Sequence, residues 1–178
     1  MPVYFLLVIL LFSVPKQTAA APGTADTETN EVILFNAPID APDPNETLRL
    51  VNAERISQGA LPLIADAELG QVAAARAADM AARQYYAHKN PDGKYYFNLF
   101  EKFGVTAGYS CENLDLVFVP SQDLVIHEWM ASLRGHRACM LDTKVKRAGY
   151  ATAKLNLKQF DGSITTAYLV VAVHAEVL

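Results

Sequence analysis

The stretch "WMASLRGHRACML" occupies residues 129–141 and places a tryptophan, a serine, a histidine and a cysteine around one glycine. In the preceding "SQDLVIHEWMASL", apolar residues recur at helical spacing, which predicts a helix whose apolar face extends to Leu133. Gly135 is expected to end this helix, so that His136 lies just past its end. The stretch therefore predicts either an active site or a helix end with a polar turn.

Two longer helices are predicted ahead of this stretch. Asp43 followed by Pro44 is typical of a helix start, and the first helix is expected to stop at Gly59. Asp66 is expected to cap a second, alanine-rich helix that ends near residues 85–86. Its residues at helical spacing are Leu69, Val72, Ala73, Arg76, Ala77 and Met80. A short helix within residues 95–104 follows the turn "NPDG".

The C-terminal part of the chain predicts β-structure. "AGYATAKLNL" and "ITTAYLVVAVHAEV" flank the turn sequence "FDGS", which is typical of a hairpin. The last strand is apolar on one face and partly apolar on the other, which favours a central position in a sheet. A further short strand, "CENLDLVFV", is predicted for residues 111–119. Helices that precede most of the strands indicate an α+β fold.

The N-terminal residues differ in composition from the rest. Residues 1–21 contain an apolar run of about 13 residues followed by small residues, which predicts a cleaved signal peptide, with an uncleaved anchor as the alternative. Residues 22–44 are rich in Pro, Thr, Asn and Asp, which is typical of a linker. One folded domain is therefore expected over residues 45–178.

Charge and cysteine content limit the classes of function. The net charge is −4 and no basic cluster is present, which argues against nucleic acid as a partner. The two cysteines are Cys111 and Cys139, and an even number in an exported chain favours one disulfide. Their separation is too long for a CxxC redox or zinc motif.

Several segments, in this order, resemble the CAP superfamily of cysteine-rich secretory, antigen 5 and pathogenesis-related proteins, which share the SCP domain. They are "LVNAER", "LGQVAAARAADM", "YYAHKNPDG", "CENL" and "EWMASLRGHRACML". The resemblance covers roughly residues 46–176 and is strongest to the bacterial extracellular SCP-like branch. It implies a three-layer α/β/α sandwich with a central antiparallel sheet.

The resemblance also implies a cleft formed by His88, Glu112 and His136. Two imidazoles and a carboxylate can hold a divalent cation such as zinc, or they can transfer protons. Ser132 stands where many eukaryotic members carry a second Glu, so a bound cation is expected to be held weakly. Glu128 lies one turn before Ser132 on the same helical face and could partly replace the missing carboxylate.

Two nucleophile arrangements compete with simpler interpretations. Ser132 and His136 are spaced i and i+4, but Gly135 lies between them, which favours a hydrogen bond at the helix end over a Ser–His nucleophile. Cys139 near His136 could act as a thiol, but a disulfide with Cys111 is favoured. If the implied cleft forms, the two cysteines flank it and the disulfide staples it.

Other polar residues predict structural roles. Asn52 and Arg55 fit the family's first-helix pattern and are expected to anchor that helix by polar contacts. His127 is expected to be exposed, and His174 to lie on a face of the sheet.

Together these features predict an exported protein, either extracellular or periplasmic. The absence of the second Glu and of an activated nucleophile favours a non-enzymatic binding or interaction module over an enzyme. Its partner would be an extracellular protein, lipid or cell-envelope component, with membrane attachment only if residues 1–21 remain uncleaved. The alternatives are a metal-dependent hydrolase acting on peptide or cell-envelope substrates, and a lipid-binding protein.

Overall fold

The computed structural model describes residues 41–178, which belong to one compact unit. The predicted signal peptide and nearly all of the predicted linker lie outside these residues. The helices are α1 Pro44–Ser57, α2 Ala67–Arg83, α3 Gln122–Ala131 and α4 His136–Leu141. The strands are β1 Ile64–Ala65, β2 Ala107–Val117, β3 Arg147–Lys158 and β4 Ile164–Val177.

The four strands form one sheet in the order β1-β3-β4-β2. β4 pairs antiparallel with both β2 and β3, so the apolar last strand lies inside the sheet as predicted. The two-residue strand β1 pairs parallel with β3. It forms one edge of the sheet, and the sequence does not predict it. The sheet is therefore mixed, although its three long strands are antiparallel.

Helices cover both faces of the sheet, which confirms the three-layer α+β fold. On one face, Leu69, Val72 and Met80 of α2 pack against Leu169 and Val171 of β4. On the other face, residues of α1, α3 and α4 form a second core with the opposite side of the strands, which includes Val51, Val125, Trp129, Met140, Tyr150 and Val170. The sheet is buried on both sides because its strands alternate between these two cores.

Glycine allows α2 to approach β3 closely. A Cβ atom built on Gly149 would lie 2.1 Å from the backbone nitrogen of Gly70 and 2.1 Å from the carbonyl carbon of Leu69. Backbone thus packs directly against backbone at this point. This contact fixes the distance between α2 and the sheet.

Local capping explains where the helices begin. Asp43 accepts hydrogen bonds from the backbone N–H groups of Asn45 and Glu46, and Asp66 accepts one from Leu69. Both caps agree with the sequence prediction. The segment predicted as a short helix before β2 instead forms two 3₁₀ turns, Tyr96–Leu99 and Glu101–Phe103.

The end of α3 differs from the prediction. The helix ends at Ala131, and Leu133, expected on its apolar face, is fully exposed. Ser132 adopts an extended backbone, and its hydroxyl accepts the N–H of Arg134, which turns the chain away from the helix. Gly135, with φ of 109°, precedes α4 rather than ending α3. His136 is consequently the first residue of a new helix.

Arg55 ties α1 to the end of α4. Its buried guanidinium donates to the backbone carbonyls of Leu61, Met140 and Asp142 at 2.7–2.9 Å. Asn52 exchanges two hydrogen bonds with the backbone of Leu63. Both side chains anchor α1 through polar contacts, as expected from the sequence.

Candidate functional site

A buried arginine organises one side of the candidate cleft. Arg76 of α2 is 3% exposed, and its Nε donates to Oε1 of Glu112 on β2 at 2.9 Å. Its terminal nitrogens donate to the hydroxyl of Tyr85 and to the backbone carbonyls of Ala87 and His88, all at 2.9 Å. One guanidinium thus fixes both the carboxylate and the loop that carries His88.

Glu112 in turn orients the imidazole of His88. Oε2 of Glu112 lies 2.8 Å from Nδ1 of His88, and the Glu112 side chain is only 1% exposed. Because an ionised carboxylate only accepts hydrogen bonds, Nδ1 is the donor and Nε2 of His88 is left to face outward. The His88 side chain is about half exposed, so this nitrogen is available to a ligand.

His136 approaches from the opposite side of β2. Its backbone carbonyl accepts a hydrogen bond from Nδ2 of Asn113 at 2.9 Å, and its ring centroid lies 6.4 Å from that of His88. Partial burial, and secondarily the proximity of His88, lower the pKa of His136. The structure thus places all three residues of the implied cleft at the outer edge of the sheet.

These three side chains do not form a ready three-donor metal site. Within residues 41–178, the single group of three or more His, Cys, Asp or Glu ligand atoms that all lie within 4.8 Å of one another is Cys111, Cys139 and His174. Both cysteines of that group belong to a disulfide. Both oxygens of Glu112 already accept hydrogen bonds, from Arg76 and His88. Because the Glu112 side chain is only 1% exposed, a cation could reach it only by displacing one of these partners.

The disulfide links the strand β2 to the helix α4, which both carry residues of the cleft. Cys111 of β2 and Cys139 of α4 are bonded, with their Cα atoms 5.9 Å apart. This bond leaves Cys139 without a thiol. The hydroxyl of Ser132 accepts a hydrogen bond from Arg134 N and forms none with His136 among the residues described, so the Ser132–His136 nucleophile pair has no support either.

Removing the disulfide is expected to lower the free energy of unfolding by about 3.5 kcal/mol, because the enclosed loop of 28 residues gains chain entropy when unfolded. Since α4 is only six residues long, its contacts with β2 should loosen first. Hydrogen exchange of the oxidised and reduced protein would measure both effects. Equal protection of residues 136–141 in the two forms would contradict this prediction.

His174 of β4 lies behind the disulfide and is completely buried. Its Nε2 lies 2.8 Å from the hydroxyl of Tyr150, and its Nδ1 lies 3.6 Å from Sγ of Cys139. Burial lowers the pKa of His174 to about 4. The imidazole is therefore neutral in the folded protein above about pH 4, and it is hydrogen-bonded to the Tyr150 hydroxyl.

This neutral histidine predicts a specific loss of stability in acid. The unfolded chain takes up a proton at its ordinary pKa near 6.5, whereas the folded chain does so only near 4. The free energy of unfolding should thus fall by on the order of 3 kcal/mol as the pH falls from 6.5 to 4, because of His174. The His174→Gln variant should not show this pH-dependent decrease in stability. Urea unfolding of both proteins at several pH values measures the difference, and parallel pH profiles would refute the assignment.

A cavity of about 640 Å³ adjoins the His136 side of the cleft. Its walls include Tyr86, Asp115, Glu128, Ser132 and His136. Glu128, expected from the sequence to lie near the cleft, is exposed at this cavity but forms no ion pair with any described residue.

Asp115 is a site residue that the sequence analysis does not identify. It is 7% exposed, and burial, followed by the nearby charge of Glu128, raises the pKa of its carboxyl group to about 7. The signal available in the sequence was a charged residue in the middle of a predicted strand. Strand alternation places Asp115 on the face opposite Glu112, toward α3.

Comparison with protein families gives a match to the family described as "CAP: Cysteine-rich secretory protein family" over residues 48–173. The uncharacterized protein YkwD of Bacillus subtilis (strain 168) is 30% identical over 129 residues, which is 72% of this chain and 49% of YkwD. The chain therefore spans about half the length of this relative.

Solved structures from bacteria share the fold. An extracellular protein containing a SCP domain from Bacillus anthracis has a TM-score of 0.61 at 17% identity, and the match covers 74% of this chain and 39% of that protein. An outer surface protein from Borrelia burgdorferi has a TM-score of 0.60 at 16% identity, and the match covers 75% of this chain and 92% of that protein. Among the residues described, no helix is long and apolar enough to cross a membrane.

Proposed function

Since the chain belongs to the CAP, or cysteine-rich secretory protein, family, we propose that it is an extracellular binding module whose ligand occupies the cleft between His88 and His136. Relatives of similar fold are described as extracellular and outer-surface proteins, which supports this location. The ligand class is an exposed component of a cell envelope or an extracellular protein.

The state of Glu112 is the observation that carries this proposal. Besides a general base, a hydrolase needs a nucleophile or a metal that activates water. Cys139 belongs to the disulfide, and among the residues described Ser132 forms no hydrogen bond with His136. Both oxygens of Glu112 are engaged, one by a buried arginine and one by His88. Glu112 is thus suited to holding His88 in one orientation rather than to moving protons. The outward-facing nitrogen of His88 and the imidazole of His136 remain as hydrogen-bonding groups for a ligand.

The test combines binding and turnover with the oxidised full chain. We expect saturable binding to a cell-envelope fraction, weakened at least tenfold by His88→Ala or His136→Ala. Arg137→Ala, which alters an exposed neighbour on α4, is the matched control and should bind normally. No turnover of peptide or envelope substrates is expected with or without added zinc. Zinc-dependent turnover that is lost in either histidine variant would establish the hydrolase alternative instead.

Zinc affinity provides a separate prediction. Because Glu112 must give up Arg76 or His88 before it can bind a cation, zinc should bind weakly, and more weakly as the pH falls, since only a neutral imidazole binds zinc. Calorimetric titration at pH 7.5 and pH 5 measures both properties. Tight binding that persists at pH 5 would contradict this expectation.

A further inference from the structure

We propose that Cys111, Cys139 and His174 become a binding site for a thiophilic metal ion of the zinc class when the disulfide is reduced. The bound ion would hold β2, α4 and β4 together in place of the covalent bond. The site shares no residue with the cleft, so this inference does not depend on the proposed binding function.

The first argument is the convergence of three ligand atoms. The two sulfur atoms and a ring nitrogen of His174 all lie within 4.8 Å of one another. Sγ of Cys139 lies 3.6 Å from Nδ1 of His174. Zinc bonds of about 2.3 Å to sulfur and about 2.0 Å to nitrogen, at a tetrahedral angle, place two such donor atoms about 3.5 Å apart. Cys139 and His174 are therefore already spaced as two ligands of one ion.

The second argument is the partner of the other ring nitrogen of His174. Nε2 lies 2.8 Å from the hydroxyl of Tyr150, and both side chains are completely buried. When Nδ1 binds a metal ion, Nε2 carries the proton and donates it to this hydroxyl oxygen, which fixes the orientation of the ring. Because burial lowers the pKa of His174 to about 4, the imidazole is already neutral near pH 7 and loses no proton when it binds the ion.

The third argument is the room available to the second sulfur atom. Bonded sulfur atoms are about 2.05 Å apart, whereas two sulfur ligands of one tetrahedral zinc ion are about 3.8 Å apart. The sulfur atoms must therefore separate after reduction. Cys111 belongs to the outer strand β2 and is partly exposed, whereas Cys139 and His174 are buried. The side chain of Cys111 is thus the one that moves, and the ion enters from the same side.

The chemistry balances in two steps. A dithiol reductant transfers two electrons and two protons to the Cys111–Cys139 bond, which breaks to give two thiols while the reductant forms its own disulfide. Zn²⁺ then displaces one proton from each thiol to solvent, and it binds the two thiolates and the neutral imidazole of His174. The two thiolate charges neutralise the ion, so no net charge is buried. A fourth position remains for water.

The experiment uses the full chain, reduced with a dithiol, freed of the reductant without oxygen and titrated with Co²⁺ and then with zinc. Cobalt bound by thiolates absorbs in the near ultraviolet through sulfur-to-metal charge transfer. We expect one cobalt ion per chain with this absorption, displaced by one zinc ion. Zinc should bind at least tenfold more tightly than to the oxidised chain. Absence of the thiolate absorption, or equal zinc affinity in the two redox forms, would overturn the proposal.

Variants test whether these three side chains are the ligands. The Cys111→Ser variant and the reduced wild-type chain both lack the disulfide, so their comparison isolates the loss of one ligand. Cys111→Ser and reduced His174→Gln should each bind zinc at least tenfold more weakly than the reduced wild-type chain. His127→Ala alters an exposed histidine of α3 and should bind zinc normally in the reduced form. Unchanged zinc affinity in Cys111→Ser, or in a folded His174→Gln variant, would refute the site.

Stability measurements distinguish a site in the folded domain from two thiols that bind zinc in an unfolded chain. Zinc should raise the urea midpoint of the reduced protein, because the ion binds the folded state, and should affect the oxidised protein far less. A lowered or unchanged midpoint at saturating zinc would show that the thiols bind it outside the folded geometry, against the proposal. Cobalt binding that is lost in His88→Ala but kept in His174→Gln would place the ion in the cleft and would also refute the assignment.

Discussion

Gly149→Ala is expected to destabilise the domain by at least about 4 kcal/mol, a loss that few single substitutions reach. The added methyl group would overlap backbone atoms of Gly70 and Leu69 at 2.1 Å. Relief would require α2 to move away from β3 along much of its length, which would open the core that contains Leu69, Val72 and Met80. Urea denaturation of the oxidised protein measures the change in the free energy of unfolding.

Gly108→Ala supplies the matched control for this prediction. Gly108 also lies in a strand, but a Cβ atom there would make an ordinary contact of 3.5 Å with the Glu176 side chain. We expect a change of about 0.5 kcal/mol or less. Similar unfolding midpoints for the two alanine variants would show that α2 does not depend on the close approach at Gly149.

Arg76→Met is expected to cost about 3–5 kcal/mol, because it leaves the buried charge of Glu112 without its partner. It also removes the donors that hold the backbone at Ala87 and His88, so the orientation of His88 should become variable. Urea denaturation measures the first effect, and NMR line widths of the His88 ring measure the second.

Two further variants separate the charge effect from a general loss of packing. Arg76→Met with Glu112→Gln removes both charges and should recover part of the lost stability. Arg83→Met breaks the partly exposed ion pairs with Asp79 and Asp92 and should cost no more than about 1 kcal/mol. If the double variant were no more stable than Arg76→Met alone, the uncompensated charge would not be the cause.

Much of the fold was predictable because local signals and long-range packing agree. Asp43 and Asp66 cap the first two helices where the sequence indicates, and β4 spans Ile164–Val177 as predicted. The apolar residues on both faces of β4 favoured a central position, and the structure covers this strand with helices on both sides.

The features that the sequence analysis missed depend on partners distant in the chain. Strand β1 is two residues long and exists only through its pairing with β3. Gly135 was assigned to the wrong helix because a glycine suits both the end of α3 and the positive φ that precedes α4. Arg76 was recognised on the apolar face of α2, but its role requires Glu112, 36 residues further along the chain. An arginine on an apolar face is itself a signal of buried acceptors elsewhere, which are backbone carbonyls for Arg55 and include a carboxylate for Arg76.

Residues of β2 contribute to the cleft from both faces of an outer strand. Glu112 and His88 belong to the side covered by α2, whereas Asn113 and His136 belong to the side covered by α4. A ligand that contacts both imidazoles would therefore bridge the two helical layers across the edge of the sheet. Bound to the folded state alone, it would raise the free energy of unfolding by about 2.7 kcal/mol at a concentration one hundred times its Kd. An upward shift in melting temperature can thus identify ligands for this cleft without an assay for catalysis.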